Sequence, residues 1–201
     1  MPKTNTFFTS DTHYFHDNCI EFDQRPFSDI EHMHRVLINN YNNTVRPEDT
    51  CFFLGDVGFC STEKLKPVID QLNGNKVLIL GNHDKGPNAM KSLGFHTVLY
   101  SASLFIAGKV VTISHCPLRG VFREDVTNMK GSQPGECWHG ESRHQKFSLP
   151  DFGQVHLHGH LHKKPKERIL DRQFDVGVVA NGYRPVAQSV IESWVAKTPK
   201  S

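Results

Sequence analysis

Hydrophobic and polar positions along the chain fall into short apolar or β-branched runs separated by amphipathic stretches. The runs are Asn5 to Thr9, Thr50 to Leu54, Lys76 to Leu80, His96 to Tyr100, Lys109 to Ser114, Gln154 to His158 and Phe174 to Val179. Most are continuous rather than alternating, the pattern of strands buried on both faces. Helical periods lie between them. Ser28 to Asn43 places Ile30, Met33, Leu37, Ile38 and Tyr41 on one face and opens with Ser-Asp-Ile-Glu, the spacing of a capping box. Leu65, Val68, Ile69 and Leu72 mark a second helix closed by Asn73-Gly74, in which Pro67 predicts a bend or a shifted start. A short helix is predicted from Pro87 to Leu93, and Val190, Ile191 and Trp194 mark a fourth near the C-terminus. Strands alternating with helices predict an α/β architecture. No linker or repeat divides the chain, so the expectation is one domain over 1–201. Within it, the segment at about 117–150 has no period and is rich in Gly, Pro, Ser and charge. A loop of that length is usually functional or disordered, and it is the candidate for shaping a substrate.

Composition narrows the partners more than the fold. A 37% hydrophobic and 22% charged content is that of a globular chain. The net charge of +2 provides no strong field for nucleic acid or an acidic membrane surface. The N-terminus, MPKTNTFFTSDTH, has no signal-peptide core, and no apolar run reaches the roughly 18 residues of a membrane span. The expected location is cytoplasmic. The five cysteines, Cys19, Cys51, Cys60, Cys116 and Cys137, are odd in number and lack Cys-x-x-Cys spacing. That argues against a disulfide framework and a thiolate zinc site, and leaves reduced thiols. The 13 histidines change the picture, because imidazole serves as metal ligand, proton shuttle and pH switch.

Many of those histidines stand at strand ends. Asn5 to Thr9 runs into Ser10-Asp11-Thr12-His13, Thr50 to Leu54 into Gly55-Asp56, and Lys76 to Leu80 into Gly81-Asn82-His83-Asp84. Lys109 to Ser114 runs into His115, and Gln154 to His158 into Gly159-His160-Leu161-His162. In an open α/β sheet, functional groups gather beyond the carboxyl ends of strands. Oxygen and imidazole donors without thiolate suit Mn, Fe or Zn. Asp11, His13, Asp56, Asn82, His115, His160 and His162 are seven candidate ligands, too many for one tetrahedral ion with an open position. They fit two ions sharing a carboxylate. Such a pair can activate a bridging water and clamp a phosphoryl group during in-line displacement. Each residue has a plainer reading: Asp11 and Asp56 as turn or N-cap residues, Asn82 as a left-handed turn. Taken jointly, the plainer readings require five independent turns to mimic one site.

The blocks Asp11-x-His13, Gly55-Asp56, Gly81-Asn82-His83-Asp84, His115 and Gly159-His160-x-His162 resemble, in order, those of the calcineurin-like metallophosphoesterases. The resemblance implies a fold of two mixed β-sheets packed as a sandwich flanked by helices. It implies that Asp11, His13 and His162 hold one metal, that Asn82, His115 and His160 hold the other, and that Asp56 bridges both. It also implies that His83 protonates or stabilises the leaving oxygen and that Asp84 orients His83. The implied cofactors are two divalent ions, Mn first, with Fe or Zn as alternatives.

Several other residues carry two readings. His16 either reaches substrate or is solvated. His156 and His158 either support the ligands from behind or simply pack. Arg119 and Arg143, and after them Arg123, suit bidentate phosphate contact but also read as solvated charges. Trp138 stacks a base or packs its loop, and His139 and His144 of that loop either reach substrate or are surface residues. His32, His34 and His96 read as structural or surface residues. The run Lys163 to Arg168 guides a nucleotide or nucleic acid or forms a solvated turn. The expected activity is hydrolysis of a phosphodiester or phosphomonoester, a nucleotide among the candidates, by a metal-dependent hydrolase of the phosphodiesterase or phosphatase type. A nuclease of the same fold is the alternative enzyme, disfavoured by the charge balance. A catalytically silent metal-binding scaffold is the alternative outside enzymes. The sequence assigns no oligomeric state.

Overall fold

The structure, a computed structural model, describes residues 4–118, 146–167, 169–170 and 172–198. The first sheet is built on four parallel strands, β1 (Thr6–Thr9), β2 (Thr50–Phe53), β3 (Asn75–Ile79) and β4 (Thr97–Leu99). The second contains β5 (Ser101–Ile106), β6 (Lys109–Ser114), β7 (Val155–His158), β8 (Ile169–Leu170) and β9 (Gln173–Asp175), in the order β5-β6-β7-β9-β8. A short strand β10 (Val186–Ala187) joins the first sheet antiparallel to β1, giving the order β10-β1-β2-β3-β4. The helices are α1 (Asn18–Phe22), α2 (Ile30–Asn42), α3 (Thr62–Ile69), α4 (Pro87–Ser92) and α5 (Gln188–Lys197). Both sheets are mixed, and the expectation of an α/β chain with two such sheets flanked by helices holds.

The continuous apolar runs have a packing reason. One face of the first sheet sets Phe7, Cys51, Phe53 and Leu78 against Met33, Leu37 and Tyr41 of α2, Leu65 and Ile69 of α3, and Met90 of α4. Its other face sets Phe8, Leu54 and Ile79 against Val111, Ile113, Val155, Leu157 and Phe174 of the second sheet. Ile191 and Val195 of α5 belong to the same interior. The first sheet is therefore a middle layer with no wet face, so strict alternation has no role in its strands.

Boundaries differ where local chemistry outweighs periodicity. The cap of α2 is Asp29 rather than Ser28, its carboxylate accepting from the His32 N–H at 2.7 Å. Pro67 lies inside α3, which starts behind Ser61 as N-cap. The strand in the run from Phe174 ends at Asp175, after which Gly177 bridges to Ser10, just past β1. β5 was not expected. It forms a hairpin with β6 through Ala107 and Gly108, both at positive φ (48° and 77°), the two-residue geometry that matches strand twist. α1 is a five-residue turn of helix and too short to show a period.

The face of the second sheet turned away from the first is polar yet buried around Ser114, His156 and His158. There His156 meets the Thr112 Oγ1 at 2.9 Å and the Ser114 Oγ at 3.1 Å, and stacks beside His158 with ring centroids 6.0 Å apart. Burial, then the neighbouring His158, pulls His156 down to about 3. Burial likewise pulls His158 down to about 4. Both rings are neutral in the fold but protonate once unfolded below the ordinary imidazole value of 6.5. Their contribution is thus intact above that value and is lost as pH falls toward the folded values. Urea unfolding followed from pH about 7 to about 4 should show this loss of stability, with a shallower slope in His156→Gln.

Candidate metal centre

The five blocks meet because the strands that carry them are neighbours. β1, β2 and β3 run parallel and release their chains at the same edge, where β6 and β7 of the second sheet also end. The turns are laced together by backbone and side-chain bonds. The Asp11 N–H donates to Gly55 O at 3.1 Å, and the His13 N–H to Asp56 O at 3.1 Å. The Ser10 and Thr12 hydroxyls donate to Leu54 O and Val57 O, each at 2.8 Å. The His160 N–H donates to the Asp11 Oδ2 at 2.8 Å, which joins the last block to the first. Five of the seven expected ligands adopt left-handed backbone: Asp11 (φ 58°), His13 (50°), Asp56 (52°), His160 (70°) and His162 (49°). Asn82 is not among them, so the alternative reading of Asn82 as a left-handed turn is not realised. Non-glycine residues rarely adopt this region, and when they do they cluster at sites the surroundings over-determine.

The ligand atoms converge in two groups with one shared member. In the first, the His162 Nε2 lies 3.4 Å from the Asp11 Oδ1 and 3.1 Å from the His13 Nε2. In the second, the His115 Nε2 lies 2.9 Å from the Asn82 Oδ1 and 3.1 Å from the His160 Nδ1. The Asp56 Oδ2 stands between them, 3.8 Å from the His13 Nε2 and 3.3 Å from the His115 Nε2. The His115 Nδ1 donates to Leu54 O at 2.7 Å, which turns Nε2 inward. The Asp11 Oδ1 is buried without a hydrogen-bond partner. A buried carboxylate oxygen among imidazole nitrogens is what a divalent ion satisfies, and the donor set fits Mn, Fe or Zn. The Cys116 sulfur, the one thiol whose place after His115 set it apart in the sequence, also lies within 4.8 Å of ring nitrogens of His115 and His160.

Electrostatics follow from this crowding. Burial alone would raise the carboxyl pKa values, but the His115 charge holds Asp56, and the His162 imidazole 3.4 Å away holds Asp11, well below the usual range. Against the same burial, Asp56 carries His115 up to about 10, and the adjacent Asp11 carboxylate with the hydrogen-bonded Asp23 carries His162 up to about 10. Burial and the His162 charge push His13 down to about 3. Bound ions would take the place of these protons, because a ligating imidazole must be neutral on the bonding nitrogen.

The other expected site residues fall in different places. His83 stands at the rim with its side chain 39% exposed, the Nε2 3.9 Å from the Asp56 Oδ2. Its backbone N–H donates to the Asp56 Oδ1 at 2.9 Å. Asp84 does not orient the His83 imidazole. Its carboxylate turns inward and accepts from the N–H groups of Asp56 (3.1 Å), Val57 (2.9 Å) and Gly81 (2.9 Å), so it braces the second and third turns instead. Burial and the Asp56 charge raise it to about 6. His16 lies beside the centre, its ring 5.4 Å from that of His13 and stacked at 4.7 Å on Phe59, which is 52% exposed. His158 donates from Nδ1 to Gly159 O at 2.8 Å and so supports the turn that bears His160, whereas His156 bonds away from the ligands. Arg119, Arg123, Trp138, His139, Arg143 and His144 lie outside the described residues, as does most of the segment at 117–150. Within the basic run, Pro165–Glu167 forms a 3-10 turn and Lys163 pairs with Glu167 at 3.9 Å, in keeping with a solvated turn.

Three residues at the centre escaped the sequence reading. Asp23 meets the His162 Nδ1 at 2.9 Å, and Arg25 clasps Asp23 at 2.8 Å. Asp175, on β9, is buried and raised to about 7 by burial and the nearby Asp11. None of the three stands in a spacing motif. Asp23 and Arg25 follow a helix too short to read, and Asp175 sits in a run read only as apolar.

Comparison with known proteins places the chain among relatives. No family model matches it. It is 30% identical over 185 residues to the gene 66 protein of Mycobacterium phage L5, covering 89% of this chain and 88% of that protein. The gene 66 protein of Mycobacterium phage D29 is 28% identical over 183 residues, covering 88% and 89%. An uncharacterized protein of Methanocaldococcus jannaschii is 42% identical over 87 residues, which is 42% of this chain and 49% of that protein, so this match spans about half the length of that relative. Among solved structures, a protein of unknown function from Aquifex aeolicus aligns with a TM-score of 0.69 over 96% of this chain and all of its own, at 24% identity. That likeness speaks to the fold. Among the described residues no helix is long and apolar enough to cross a membrane.

Two glycines test the lacing directly. A Cβ on Gly81 would run into the Asp56 carboxylate, and one on Gly159 into the Ser10 hydroxyl and the Asp11 carboxylate. Gly81→Ala and Gly159→Ala should each lower unfolding stability by about 1–3 kcal/mol, the usual range for overpacking. Both should also weaken divalent-metal binding, measured by calorimetry on chelator-treated protein.

Proposed function

We propose that this chain, which belongs to the family of the gene 66 protein of Mycobacterium phage L5, is a dinuclear-metal phosphoesterase of the calcineurin-like fold. The observation that carries this reading is the place of the Asp56 Oδ2 between two separate donor groups, 3.8 Å from the His13 Nε2 and 3.3 Å from the His115 Nε2. A carboxylate so placed suits two cations held close together, whose mutual repulsion imidazoles alone do not offset. Asp11, His13 and His162 would hold one ion and Asn82, His115 and His160 the other, with Asp56 common to both. Mn is the first expectation, with Fe or Zn as alternatives. When bound, two such ions supply a nucleophilic water at neutral pH and neutralise charge on the phosphoryl oxygens.

This chain's own residues do the rest. The two buried carboxylates and the bonded turns fix the donors before substrate arrives, so little reorganisation accompanies binding. His83 is the proton donor to the leaving oxygen. Its imidazole reaches toward Asp56 from the rim, and its exposure lets it recover a proton from solvent. Asp84 acts on this residue only indirectly, by holding the Gly81 turn from which His83 projects. Phe59 and His16 form an aromatic surface beside His83, with the Phe59 and His83 ring centroids 5.3 Å apart. That surface suits the organic part of a phosphodiester or phosphomonoester, a nucleotide included.

The test is turnover of phosphodiester and phosphomonoester reporters by chelator-treated protein resupplied with Mn²⁺, Zn²⁺ or Mg²⁺. Asp56→Ala should abolish turnover and reduce the number of tightly bound ions. His83→Ala should lower kcat by roughly 10²–10⁴-fold for a poor leaving group, and by much less for an activated aryl ester that needs no acid. A protein that binds both ions yet turns over neither reporter in any metal would instead be a metal-binding scaffold.

A further inference from the structure

We propose that Asp23 and Arg25 are positioning residues that set the affinity of the Asp11–His13–His162 group for its ion and leave the other group unaffected. The inference rests on the dinuclear reading above. His162 comes from the last block and Asp11 and His13 from the first, so this half of the centre must be assembled across almost the whole chain. The Asp23 Oδ1 takes the His162 Nδ1–H at 2.9 Å. With Nδ1 so engaged, the lone pair of His162 stands on Nε2, which faces the Asp11 Oδ1 at 3.4 Å. A carboxylate that bonds a ligand imidazole from behind fixes its tautomer, its ring angle and its basicity.

Arg25 holds that carboxylate in place and reaches past it. Its Nε and terminal nitrogen bond the Asp23 Oδ2 at 2.9 and 2.8 Å. The same guanidinium donates to Asp11 O at 3.2 Å and to Thr12 O at 3.3 Å. Its side chain has no exposed surface, and that of Asp23 is only 11% exposed. One planar cation therefore bonds both the backbone of the first metal block and, through Asp23, the imidazole of the last. The carbonyl it bonds at Asp11 belongs to a residue at φ 58°. The guanidinium thus also holds the left-handed conformation that aims Asp11. Lysine would not substitute, because its single ammonium lacks the fork that serves four acceptor contacts. The second group draws its support elsewhere, from Leu54 O behind His115 and from Gly159 O beside His158.

The experiment uses the full chain, stripped with chelator and titrated with Zn²⁺ against a competing indicator. The unaltered protein should take up two ions. Asp23→Ala should weaken one ion by roughly 10–100-fold, the usual consequence of losing such a partner, and leave the other within about twofold. Arg25→Lys should fall in the same direction, and Asp23→Glu should recover part of the loss. Long-range ¹H–¹⁵N spectra of the zinc-loaded imidazoles supply a readout that simple bracing would not move: His162 should lose its Nδ1–H signature in Asp23→Ala while His115 keeps its own. If Asp23→Ala does not fold, Asp23→Asn carries the same comparison. Equal weakening of both ions, or an unchanged His162 tautomer with unchanged affinities, would overturn the proposal while the dinuclear reading stands. Failure of the unaltered protein to bind two ions would remove the premise and the proposal together.

Discussion

Two carboxylates and four imidazoles are packed into one small buried volume, and the backbone must bend in an unfavourable sense to put them there. Asp11, His13, Asp56, His160 and His162 each occupy the left-handed region, at φ between 49° and 70°. Each such residue costs on the order of 1 kcal/mol or more when it is not glycine. That local penalty is sustained by bonds between the turns rather than within them. The first block hangs on carbonyls of the second, the second and third are pinned by Asp84, and the last is bonded to Asp11. The architecture of the two sheets follows from the need to bring these turns to one edge. Parallel pairing of β1, β2 and β3 places three chain reversals side by side, and the face-to-face packing of the second sheet adds the ends of β6 and β7.

The middle position of the first sheet gives the turns a rigid floor. Phe8, Leu54 and Ile79 are fully buried on one face, and Cys51, Phe53 and Leu78 on the other. A residue in such a layer cannot shift without disturbing packing on both sides. The candidate ligands begin within a few residues of these positions. Their placement thus inherits the precision of the core, the condition for a site whose donors must be correct before anything binds.

The same logic explains which parts were legible from the sequence. Strands of the buried sheet announce themselves as apolar runs, and the candidate ligands stand directly after them, so the convergence of Asp11, His13, Asp56, Asn82, His115, His160 and His162 could be anticipated from position and residue type. β5 was not legible, because its outward residues include Phe105, 77% exposed, which spoils the alternation of a one-sided strand. Asp84 was legible as a site residue but not in its role. Sequence adjacency puts it beside His83, whereas the turn sends its carboxylate to backbone N–H groups 27 and 28 residues upstream. Asp23 and Arg25 were invisible for a related reason. Their partners are His162 and the carbonyls of Asp11 and Thr12, and a backbone carbonyl leaves no mark on residue identity.

On the proposed reading, a gradient of burial separates the two chemical tasks at the centre. Asp11, His13, Asp56 and His115 are at most 2% exposed, so water cannot satisfy their polar atoms and each must find a partner inside the site. Acid–carboxylate pairing satisfies some of them, as the raised His115 and His162 and the depressed Asp11 and Asp56 attest. That pairing falls short of full satisfaction, since among the described residues the buried Asp11 Oδ1 and His13 Nδ1 find no hydrogen-bond partner. His83 lies on the other side of the gradient, bonded through its backbone to Asp56 but with its ring open to solvent. A group that delivers a proton must be able to regain one, and a group that holds an ion must not exchange it for water. One carboxylate, Asp56, touches both sides: its Oδ1 fixes the His83 backbone while its Oδ2 faces the imidazoles. Any displacement of Asp56 would therefore disturb the candidate donor set and the proposed acid together, and the turn that carries it is tied to its neighbours by side chain and backbone alike.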